Sequence, residues 1–412
     1  MIDSAPSAPP TVVFVTVADL PEGGGNTSRL KSLGALVEAA GFATEIWNEH
    51  ALGISPPSLL RAEGLLGCTP FRYVLGKTTR RYGFAAAGDK LGAVVRVIVG
   101  LCRERRRVRG VWLNCLSFYD ALPINLVCLL LGVRCVQAHE DERLEIIYAA
   151  QMSPARNLFA LNSWLGDRLI VRLASTVVVI SSYLREKYAR YTRRPMVIIP
   201  TLIDFAEWPD LPYAPAEAPR RFLYTGALGE QDAMEEVLAA FARLRRAGQA
   251  FIFDIYGDSQ RGPERKARLE QLVGELDLAS CVVLHGYQPR REILAAIQRA
   301  DVLIGIRRAN QLAFSGLSTK VSEYLASGRA TIASTVGDGG GYLRAGENCL
   351  LVEHPEQPGE FDRVLATALE APAERLVEIG RNGRQLALER FAIEAHVPAI
   401  RQIFGTAESS SV

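Results

Sequence analysis

The chain has 412 residues, of which 49% are hydrophobic and 22% charged, and its formal net charge is +2. This composition is typical of a soluble globular protein with enough chain for two domains. The N-terminus lacks the basic region of a secretory signal, and the longest apolar run, residues 121–133, is shorter than the ~20 residues that a bilayer span needs.

The net charge conceals an asymmetry between the two halves of the chain. Residues 1–203 carry 24 Lys and Arg against 16 Asp and Glu, a net of +8, whereas the remainder carries 23 against 29, a net of −6. A basic N-terminal half predicts contact with an anionic partner. The seven cysteines form no CxxC pair, which indicates a reducing cytosol and packing roles.

The first half alternates between predicted strands and helices. Residues 1–10, rich in Pro, Ser and Ala, are predicted to be disordered. A buried parallel strand at 11–17, a glycine-rich loop at 22–28, a helix and a strand at 43–47 form a βαβ unit. Further strands are predicted at 111–114, 133–138, 176–180 and 196–199, with helices at 122–131 and 182–191.

A second strand–helix series follows residues 200–221, whose five prolines predict a linker. Its strands are predicted at 221–225, 251–256, 282–285 and 302–306, and its helices at 265–276 and 293–300 and after residue 233. The whole pattern predicts an α/β protein of two doubly wound, Rossmann-like domains that face a central cleft. The predicted N-terminal domain covers 1–203, the C-terminal domain 204–388 with its linker at 204–221, and a last helix and tail 389–412.

Residues 314–334 predict a small-residue loop, a helix, a glycine stop and a buried strand. Ser318 or Thr319 can cap the first helical turn. A helix N-terminus attracts anions, so Lys320 in that turn fits a bound phosphate, and Glu323 could accept hydrogen bonds from a diol. The alternative is an ordinary amphipathic helix with solvated charges.

Several motifs in a fixed order make the chain resemble the retaining glycosyltransferases of family four, which adopt the GT-B fold. The motifs are residues 199–204 (IPTLID), 224–229 (YTGALG), 255–258 (IYGD), 284–287 (LHGY), 299–305 (RADVLIG), 314–324 and 346–352 (GENCLLV). The resemblance covers most of residues 11–406. It implies a nucleotide-sugar donor on the C-terminal domain, an acceptor on the N-terminal domain, and a last helix that crosses back to the first domain.

The resemblance also implies roles for individual residues of the C-terminal domain. Gly226 and Gly229 would let backbone approach a diphosphate, although a plain left-handed turn is the alternative. Lys320 with Arg307 or Arg308 would neutralise the leaving nucleoside diphosphate, the alternative for the arginines being a solvated loop. Glu323 would bind the ribose hydroxyls. The other implied donor-binding residues are Gly257, Asp258, Gly286, Tyr287, Ser315, Gly316, Leu317, Ser318 and Thr319.

In the N-terminal domain the resemblance singles out His139, at a predicted strand end, as the histidine that contacts the transferred sugar; a structural histidine is the alternative. Glu140 and Asp141 are either acceptor contacts or solvated strand-end acids, and the second interpretation is favoured. Residues Gly24, Gly25 and Asn26 would approach the phosphates and the acceptor. Their loop lacks the GxGxxG pattern, which disfavours a dehydrogenase.

Two positions depart from the family pattern. Ser315 stands where the first glutamate of Glu-x7-Glu is usual, which leaves the transferred sugar undefined. Residues Gln231 and Asp232 occupy the segment that usually supplies a phosphate-binding lysine, a loss for which Lys320 would compensate.

The predicted function is transfer of a sugar, with retention, from a nucleotide-diphosphate sugar to a glycan or a lipid-linked acceptor. His139, Lys320 and Arg307 would be the catalytic residues, and no metal or cofactor is expected because the chain has no Asp-x-Asp pattern. Two alternatives remain open. One is a catalytically silent GT-B protein that binds a nucleotide sugar or a partner enzyme, and the other is a nucleotide-sugar epimerase.

A basic cluster in the N-terminal half predicts a second partner. It consists of Arg103, Arg105, Arg106, Arg107 and Arg109, and cations also alternate with aromatics in 71–73, at Lys77 and in 80–84. The cluster predicts docking to an anionic membrane surface, with a solvated helix face as the alternative. The expected location is cytoplasmic, peripheral at the inner membrane face. Nucleic acid is disfavoured because no recognised binding motif accompanies the charge.

Overall fold

The structure is a computed structural model that describes residues 9–53, 55–79, 84–114, 117–141, 154–257, 264–308, 316–355, 357 and 359–405. It divides into two compact units: unit 1 is Met1–Leu202 with Ile393–Val412, and unit 2 is Ile203–Ala392. The sequence placed these divisions after residues 203 and 388. Residues 1–10 were predicted to be disordered, and residues 1–8 of this segment lie outside the described residues.

Unit 1 is built on an eight-stranded sheet with the order β3-β4-β2-β1-β5-β6-β7-β8. Its strands are β1 (Thr11–Thr16), β2 (Ala43–Asn48), β3 (Glu63–Leu66), β4 (Thr69–Tyr73), β5 (Val108–Asn114), β6 (Arg134–His139), β7 (Thr176–Val179) and β8 (Met196–Ile198). All neighbours are parallel except β3, which runs antiparallel to β4. All six residues of β1 are buried, as expected for a central strand covered on both faces.

The helices of unit 1 connect these strands. They are α1 (Gly25–Ala39), α2 (Phe84–Glu104), α3 (Phe118–Leu131), α4 (Pro154–Leu165, continued by a π-helical turn at Gly166–Ile170 and a last turn at Val171–Leu173), and α5 (Ser182–Ala189). Helices α2 and α4 and the β3–β4 hairpin were not predicted from the sequence. Residues 71–73 were predicted, as one of two alternatives, to place aromatic side chains on a docking surface. This was wrong, because Phe71 and Tyr73 are inward-facing residues of β4 and only 3% and 2% exposed.

Unit 2 contains a six-stranded, fully parallel sheet with the order β11-β10-β9-β12-β13-β14. Its strands are β9 (Arg220–Thr225), β10 (Phe251–Tyr256), β11 (Val282–Gly286), β12 (Val302–Gly305), β13 (Ala330–Ser334) and β14 (Leu350–Val352). Its helices are α6 (Met234–Arg246), α7 (Glu264–Glu275), α8 (Arg290–Arg299), α9 (Thr319–Ala326), α10 (Gly339–Tyr342), α11 (Glu360–Glu370) and α12 (Ala373–Arg390). The sheet order reverses direction at β9 and β12, the switch point at which ligands bind in open α/β sheets.

The last helix of the chain, α13 (Ile393–Phe404), belongs to unit 1. Phe404 is fully buried against Phe42 and Trp112, with ring centroids 5.9 and 6.4 Å apart. Its carbonyl oxygen accepts a hydrogen bond of 2.7 Å from Arg109 Nε. The doubly wound α/β class and the return of the last helix to the first domain are therefore confirmed.

The proline-rich segment predicted as a linker is fixed to unit 2. The Asp301 carboxylate accepts hydrogen bonds from Ala216 N (2.9 Å) and Arg221 N (2.7 Å), and Trp208 is 2% exposed. Prolines suit such a segment because its extended backbone makes few ladder hydrogen bonds. Within the described residues, no helix is long and apolar enough to cross a membrane.

Candidate functional site

The carboxyl ends of β9, β10 and β11 form a backbone platform in unit 2. Gly226, Gly257 and Gly286 stand at these three ends, and their chains are joined by hydrogen bonds from Gly226 N to Tyr256 O (3.0 Å) and from Gly257 N to Gly286 O (2.8 Å). Gly257 has a φ of 123°, and a Cβ there would lie 1.8 Å from the Gly226 oxygen. Glycine is thus required for this close approach.

The loop after β9 holds an unusual backbone conformation. Leu228 and Ala233 have φ values of 50° and 53°, which cost non-glycine residues of order 1 kcal/mol or more each. The Asp232 carboxylate stabilises the loop by accepting a hydrogen bond of 3.0 Å from Gly229 N. Strained backbone of this kind is concentrated at binding sites, and here it adjoins the glycine platform.

Helix α9 begins beside this loop, where the sequence placed it. Ser318 is its N-cap residue, but its side chain makes no capping hydrogen bond, so the predicted capping by Ser318 or Thr319 was wrong. Tyr324 fixes the helix to the platform instead, because its hydroxyl accepts a hydrogen bond of 2.8 Å from Thr225 N. The buried Ser318 Oγ has no hydrogen-bond partner among the described residues.

Lys320 lies in the first turn of α9 and points to the loop after β9. Its ammonium donates to Asp232 Oδ1 at 2.5 Å and to Tyr224 Oη at 2.9 Å, and it lies 4.2 Å from the Tyr224 ring centroid. Burial lowers the pKa of Lys320, and the Asp232 charge opposes that shift. Asp232, one of the two residues in the segment where the resemblance implies a phosphate-binding lysine, thus forms a buried ion pair with Lys320.

The two arginines after β12 differ in their partners. Arg308 forms a two-pronged ion pair with Glu236, at 2.8 and 2.6 Å. Arg307 donates its backbone N–H to Ser334 Oγ (3.0 Å), and its buried side-chain Nε has no hydrogen-bond partner in the described part of the chain. The positive charge of Arg307 further lowers the pKa of Lys320, after burial. Of these two arginines, Arg307 is therefore the one with an unpaired side-chain donor, and its charge acts on Lys320.

Glu323 forms an ion pair that the sequence did not predict. Arg290, the first residue of α8, lies 2.8 Å from Glu323 Oε1 and 3.1 Å from Glu207 Oε2. Burial by itself would lower the pKa of Arg290. The hydrogen bonds and charges of Glu323 and Glu207 outweigh burial, so the pKa of Arg290 is raised. The available signal was a cation in the first turn of a helix, the same anomaly that singled out Lys320.

The remaining predicted donor residues are placed as follows. Tyr287 is 80% exposed just after β11. Gly316 is buried, Leu317 half-buried and Thr319 exposed. The neighbouring His285 stacks on Tyr256 at 4.1 Å, and its Nε2 lies 2.7 Å from Asp254 Oδ1. Asp258 and Ser315 lie outside the described residues.

In unit 1, His139 ends β6 and is 4% exposed. Its ring stacks on Tyr188 at 4.0 Å, and its Nδ1 lies 3.9 Å from Asp167 Oδ1. Asp167 in turn accepts hydrogen bonds from Tyr188 Oη (3.0 Å) and Lys187 Nζ (3.2 Å). Asp167 was not predicted as a site residue. It lies in the π-helical turn of α4, and no clear sequence pattern marks such a turn.

Glu140 follows His139 and is not the solvated acid that the sequence favoured. Arg29 of α1 binds it with its Nε 3.2 Å from Oε1, and Arg29 also donates to the carbonyl oxygens of Ile199 and Pro200. Burial raises the pKa of Glu140, against the opposing effect of Arg29. This pair joins α1 to the ends of β6 and β8, while Asp141 is exposed.

The glycine-rich loop leads into α1. A Cβ on Gly23 would lie 2.2 Å from Thr27 Oγ1, whereas one on Gly24 or Gly25 would meet nothing within 4 Å. Asn26 is held in place by donating to Val17 O (2.9 Å) and accepting from Asn114 Nδ2 (3.0 Å). Open space therefore lies in front of residues 24 and 25.

Comparisons with known proteins match the part of the chain that contains the unit 2 site. Residues 219–371 match the family model described as glycosyl transferases group 1, so the match spans the platform, both arginines and α9. A 2-deoxystreptamine glucosyltransferase from Streptomyces kanamyceticus is 28% identical over 171 residues, which are 41% of this chain and 41% of that enzyme. The chain thus matches about two fifths of the length of this curated relative.

Solved structures match over nearly the whole chain. A sucrose-phosphate synthase from Thermosynechococcus elongatus has a TM-score of 0.68 at 17% identity and covers 98% of this chain and 100% of its own. Anabaena Alr3699/HepE in complex with UDP-glucose has a TM-score of 0.65 at 14% identity, covering 95% of this chain and 98% of its own. The chain has the fold of the GT-B glycosyltransferases. Within residues 219–371 its sequence supports a glycosyltransferase family.

Proposed function

We propose that this protein is a retaining glycosyltransferase that moves a sugar from a nucleotide-diphosphate sugar to a hydroxyl group of an acceptor. The observation that carries the proposal is the carboxyl edge of the unit 2 sheet. There the glycine platform, the strained loop after β9 and the start of α9 surround Lys320 and Arg307. A diphosphate is bound by such an arrangement of backbone N–H groups, a helix N-terminus and cations.

Each charged residue has a distinct part in the proposed donor site. Arg307 supplies guanidinium donors to the diphosphate, and Lys320 supplies positive charge from its buried pair with Asp232. Glu323, held by Arg290, accepts hydrogen bonds from the ribose hydroxyls. Backbone near Gly286 and Tyr287 contacts the base. UDP-glucose, bound by the Anabaena neighbour, is the first donor to test.

In the proposed reaction the bond between the anomeric carbon and the donor phosphate oxygen breaks. The acceptor oxygen bonds to the same face of that carbon, and its proton passes to a phosphate oxygen of the departing nucleoside diphosphate. Cations fixed near the developing phosphate charge stabilise the transition state electrostatically. For His139, which stacks on Tyr188 and lies near Asp167 within unit 1, contact with the transferred sugar stays a prediction. The reaction needs no metal and no cofactor, so a chelator should leave the rate unchanged.

A silent nucleotide-sugar-binding protein is a second candidate, which one observation favours. The Lys320 charge is already balanced by Asp232 at 2.5 Å, which would reduce its stabilisation of the charge that develops on a departing diphosphate. The epimerase alternative has no such support of its own. Turnover separates these functions, because a silent protein releases no nucleoside diphosphate and an epimerase changes the sugar without an acceptor.

The direct experiment is a thermal-shift panel of UDP-, GDP-, ADP- and dTDP-sugars, followed by product analysis with glycan and lipid-linked acceptors. A ligand that binds the native state raises the free energy of unfolding by RT ln(1 + [L]/Kd), so one nucleotide should raise the unfolding midpoint most. A product whose anomeric configuration matches the donor supports the proposal. An inverted product would contradict the retaining mechanism, and no shift with any donor would contradict donor binding.

A further inference from the structure

A buried guanidinium group with unused donors lies at the amino edge of the unit 2 sheet. Arg220 is the first residue of β9 and is only 3% exposed. Its Nη2 donates to the Ala371 carbonyl oxygen at 2.8 Å, but its Nε and Nη1 have no hydrogen-bond partner in the described part of the chain. A buried charged group with unpaired donors is costly, so this position favours a bound anion.

The Arg220 guanidinium lies beside the start of α12, because Ala371 precedes the N-cap residue of that helix by one position. The N-cap residue is Pro372, which makes no side-chain capping hydrogen bond, and its carbonyl oxygen accepts from the N–H groups three and four residues later. The N–H groups of Ala373 and Glu374 therefore have no acceptor within the described residues. Free N–H groups at the N-terminus of an 18-residue helix attract anions.

A second buried arginine adds positive charge to this edge. Arg329 directly precedes β13, is 4% exposed, and has an Nη1 without a hydrogen-bond partner among the described residues. Its other donors bind the neutral carbonyl oxygens of Gln298 and Pro212. Burial raises the pKa of the Tyr213 hydroxyl, and the charges of Arg329 and Arg220 both oppose that rise. The two guanidinium groups are therefore close enough to act on one hydroxyl group.

The carboxylate at the same edge, Asp301, does not balance these two charges. Asp301 directly precedes β12, the strand between β9 and β13. Its two carboxylate oxygens accept the backbone N–H groups of Ala216 and Arg221. Neither Arg220 nor Arg329 has an ion-pair partner in the part of the chain that the structure describes. Since buried cations are normally paired, the amino edge of unit 2 has an excess of positive charge.

We propose that unit 2 binds a phosphate group at this amino edge, between the Arg220 guanidinium and the first turn of α12. Arg220 would bind phosphate oxygens with its unused donors, and the N–H groups of Ala373 and Glu374 would bind the others. The charge of Arg329 would add to the attraction. The glycine platform lies at the carboxyl ends of the strands, so this second site is separate from the proposed donor site. The inference does not depend on the proposed sugar transfer.

The first turn of α12 gives the phosphate a route from solvent. Pro372 and Glu374 are exposed, and Ala371 and Ala373 are half-buried. The turn therefore connects the buried Arg220 with the surface. The carboxylate of Glu374 lies in the same turn, where it stabilises the helix N-terminus in place of an anion and would repel one that binds.

Inorganic phosphate is the first probe, added to the full chain in phosphate-free buffer at constant ionic strength. In calorimetry it should bind saturably, and it should raise the unfolding midpoint by mass action. Stabilisation by anions that are merely excluded from the protein surface does not saturate, and chloride at the same ionic strength should not reproduce the rise.

The variant Arg220→Met tests the guanidinium. It should weaken phosphate binding about 10–150-fold, because charged hydrogen bonds to the phosphate are lost. Arg268→Met removes the same charge from an exposed position of α7 and should leave the phosphate affinity unchanged. Unchanged circular dichroism would show that both variants fold.

Two variants of the helix start test the backbone donors without removing an arginine. Ala373→Pro deletes one free N–H group and keeps the helix, because proline suits the first helical position and the ψ of 150° at Pro372 suits the residue before a proline. It should weaken phosphate binding about tenfold or more. Glu374→Gln removes the competing carboxylate and should strengthen phosphate binding about 2–5-fold.

Glycerol phosphate, titrated in the same way, distinguishes two sources of the phosphate group. Tighter binding than that of inorganic phosphate would identify a phosphate monoester as the occupant, and weaker binding would identify inorganic phosphate. In either case Gly257→Ala, which alters the glycine platform, should leave this binding intact.

Three results would overturn the proposal. The first is a phosphate effect that does not saturate or that chloride reproduces. The second is a loss of stability in Arg220→Met that is the same with and without phosphate, together with unchanged phosphate binding in Ala373→Pro, since Arg220 would then only hold the Ala371 carbonyl group. The third is phosphate binding that saturating nucleoside diphosphate abolishes, which would place the phosphate in the proposed donor site and leave that site standing.

Discussion

The two units of this protein differ in how they use charge. In unit 2 three cations near the site have carboxylate partners: Lys320 has Asp232, Arg308 has Glu236, and Arg290 has Glu323. Arg307 is the exception, because its buried Nε has no hydrogen-bond partner among the described residues. In unit 1, Arg172, Arg190, Arg193 and Arg194 line one cavity, and none of them has a carboxylate partner within the described residues. Of the seventeen large apolar side chains that are exposed in the described part of the chain, thirteen belong to unit 1.

This contrast teaches what each unit is built to contact. Internal ion pairs fix side chains at defined positions, which suits a small ligand that is recognised atom by atom. The family model matches residues 219–371, within unit 2. Substitutions near the candidate site of unit 2 should therefore change donor binding.

The largest effect on nucleotide binding is expected from Gly257→Ala. The new methyl group would clash with the Gly226 oxygen at 1.8 Å, so the platform must open, at a cost of about 2 kcal/mol or more. Binding of the nucleoside diphosphate identified in the thermal-shift panel should become undetectable by calorimetry. Gly274→Ala is the control, because it lies in α7 with open space around it and should stabilise unit 2 by up to ~1 kcal/mol.

The next effect concerns the Lys320–Asp232 pair. Lys320→Met should destabilise the protein by about 3–5 kcal/mol, because it leaves the buried Asp232 charge unpaired, and should weaken nucleoside diphosphate binding. Asp232→Asn should instead enlarge the nucleotide-induced rise of the unfolding midpoint, because the diphosphate then becomes the main partner of the ammonium. If both variants weakened nucleotide binding equally, Asp232 would not compete with the diphosphate.

A smaller effect is expected from Glu323→Ala. Loss of a charged hydrogen bond to ribose should weaken donor binding about 10–150-fold. The 2′,3′-dideoxy nucleoside diphosphate is the matched control ligand, since it has no hydroxyls for Glu323 to accept from, and its affinity should not change. A similar loss for both ligands in calorimetry would mean that Glu323 acts only through the fold, by way of its pair with Arg290.

The last prediction should not change donor binding at all and tests the stability of unit 1 alone. Glu49 is 1% exposed, and neither carboxylate oxygen has a hydrogen-bond partner among the described residues. Burial, and then the charge of Asp120, raises its pKa well above 4.5. The unfolded state therefore loses the Glu49 proton first, and the free energy of unfolding falls by about 1.4 kcal/mol per pH unit above that value until the folded pKa is reached.

Glu49→Gln removes this titration, so its stability advantage over the wild type should grow from pH 5 to pH 8. Thermal unfolding at the two pH values measures it. Glu63→Gln, at an exposed residue of β3, is the control and should show no such growth. An advantage of Glu49→Gln that is the same at both pH values would contradict a proton held in the folded state.

The sequence was enough to predict most of the alternation of strands and helices and the place of α9, but it did not reveal β3, β4 or β14. The strands that were predicted were found to within a few residues because buried parallel strands are continuous apolar runs with glycine at their ends. The sequence also indicated Lys320, because a cation in the first turn of a helix is unfavourable without an anion nearby. It indicated Glu323 with it, one turn further along the same helix. Helices α2 and α4 were missed, since both expose apolar side chains that blur the helical pattern.

Only the tertiary structure decided which charges meet. Asp232 and Lys320 are 88 residues apart in the chain, and Glu140 and Arg29 are 111 residues apart. No local sequence pattern encodes such pairs, because the parallel sheets bring the ends of distant strands to one edge. A charge that is buried there is costly unless a residue of opposite charge lies beside it. The same holds for the cavity lined by Arg172, Arg190, Arg193 and Arg194, which the fold assembles from two segments that precede different strands.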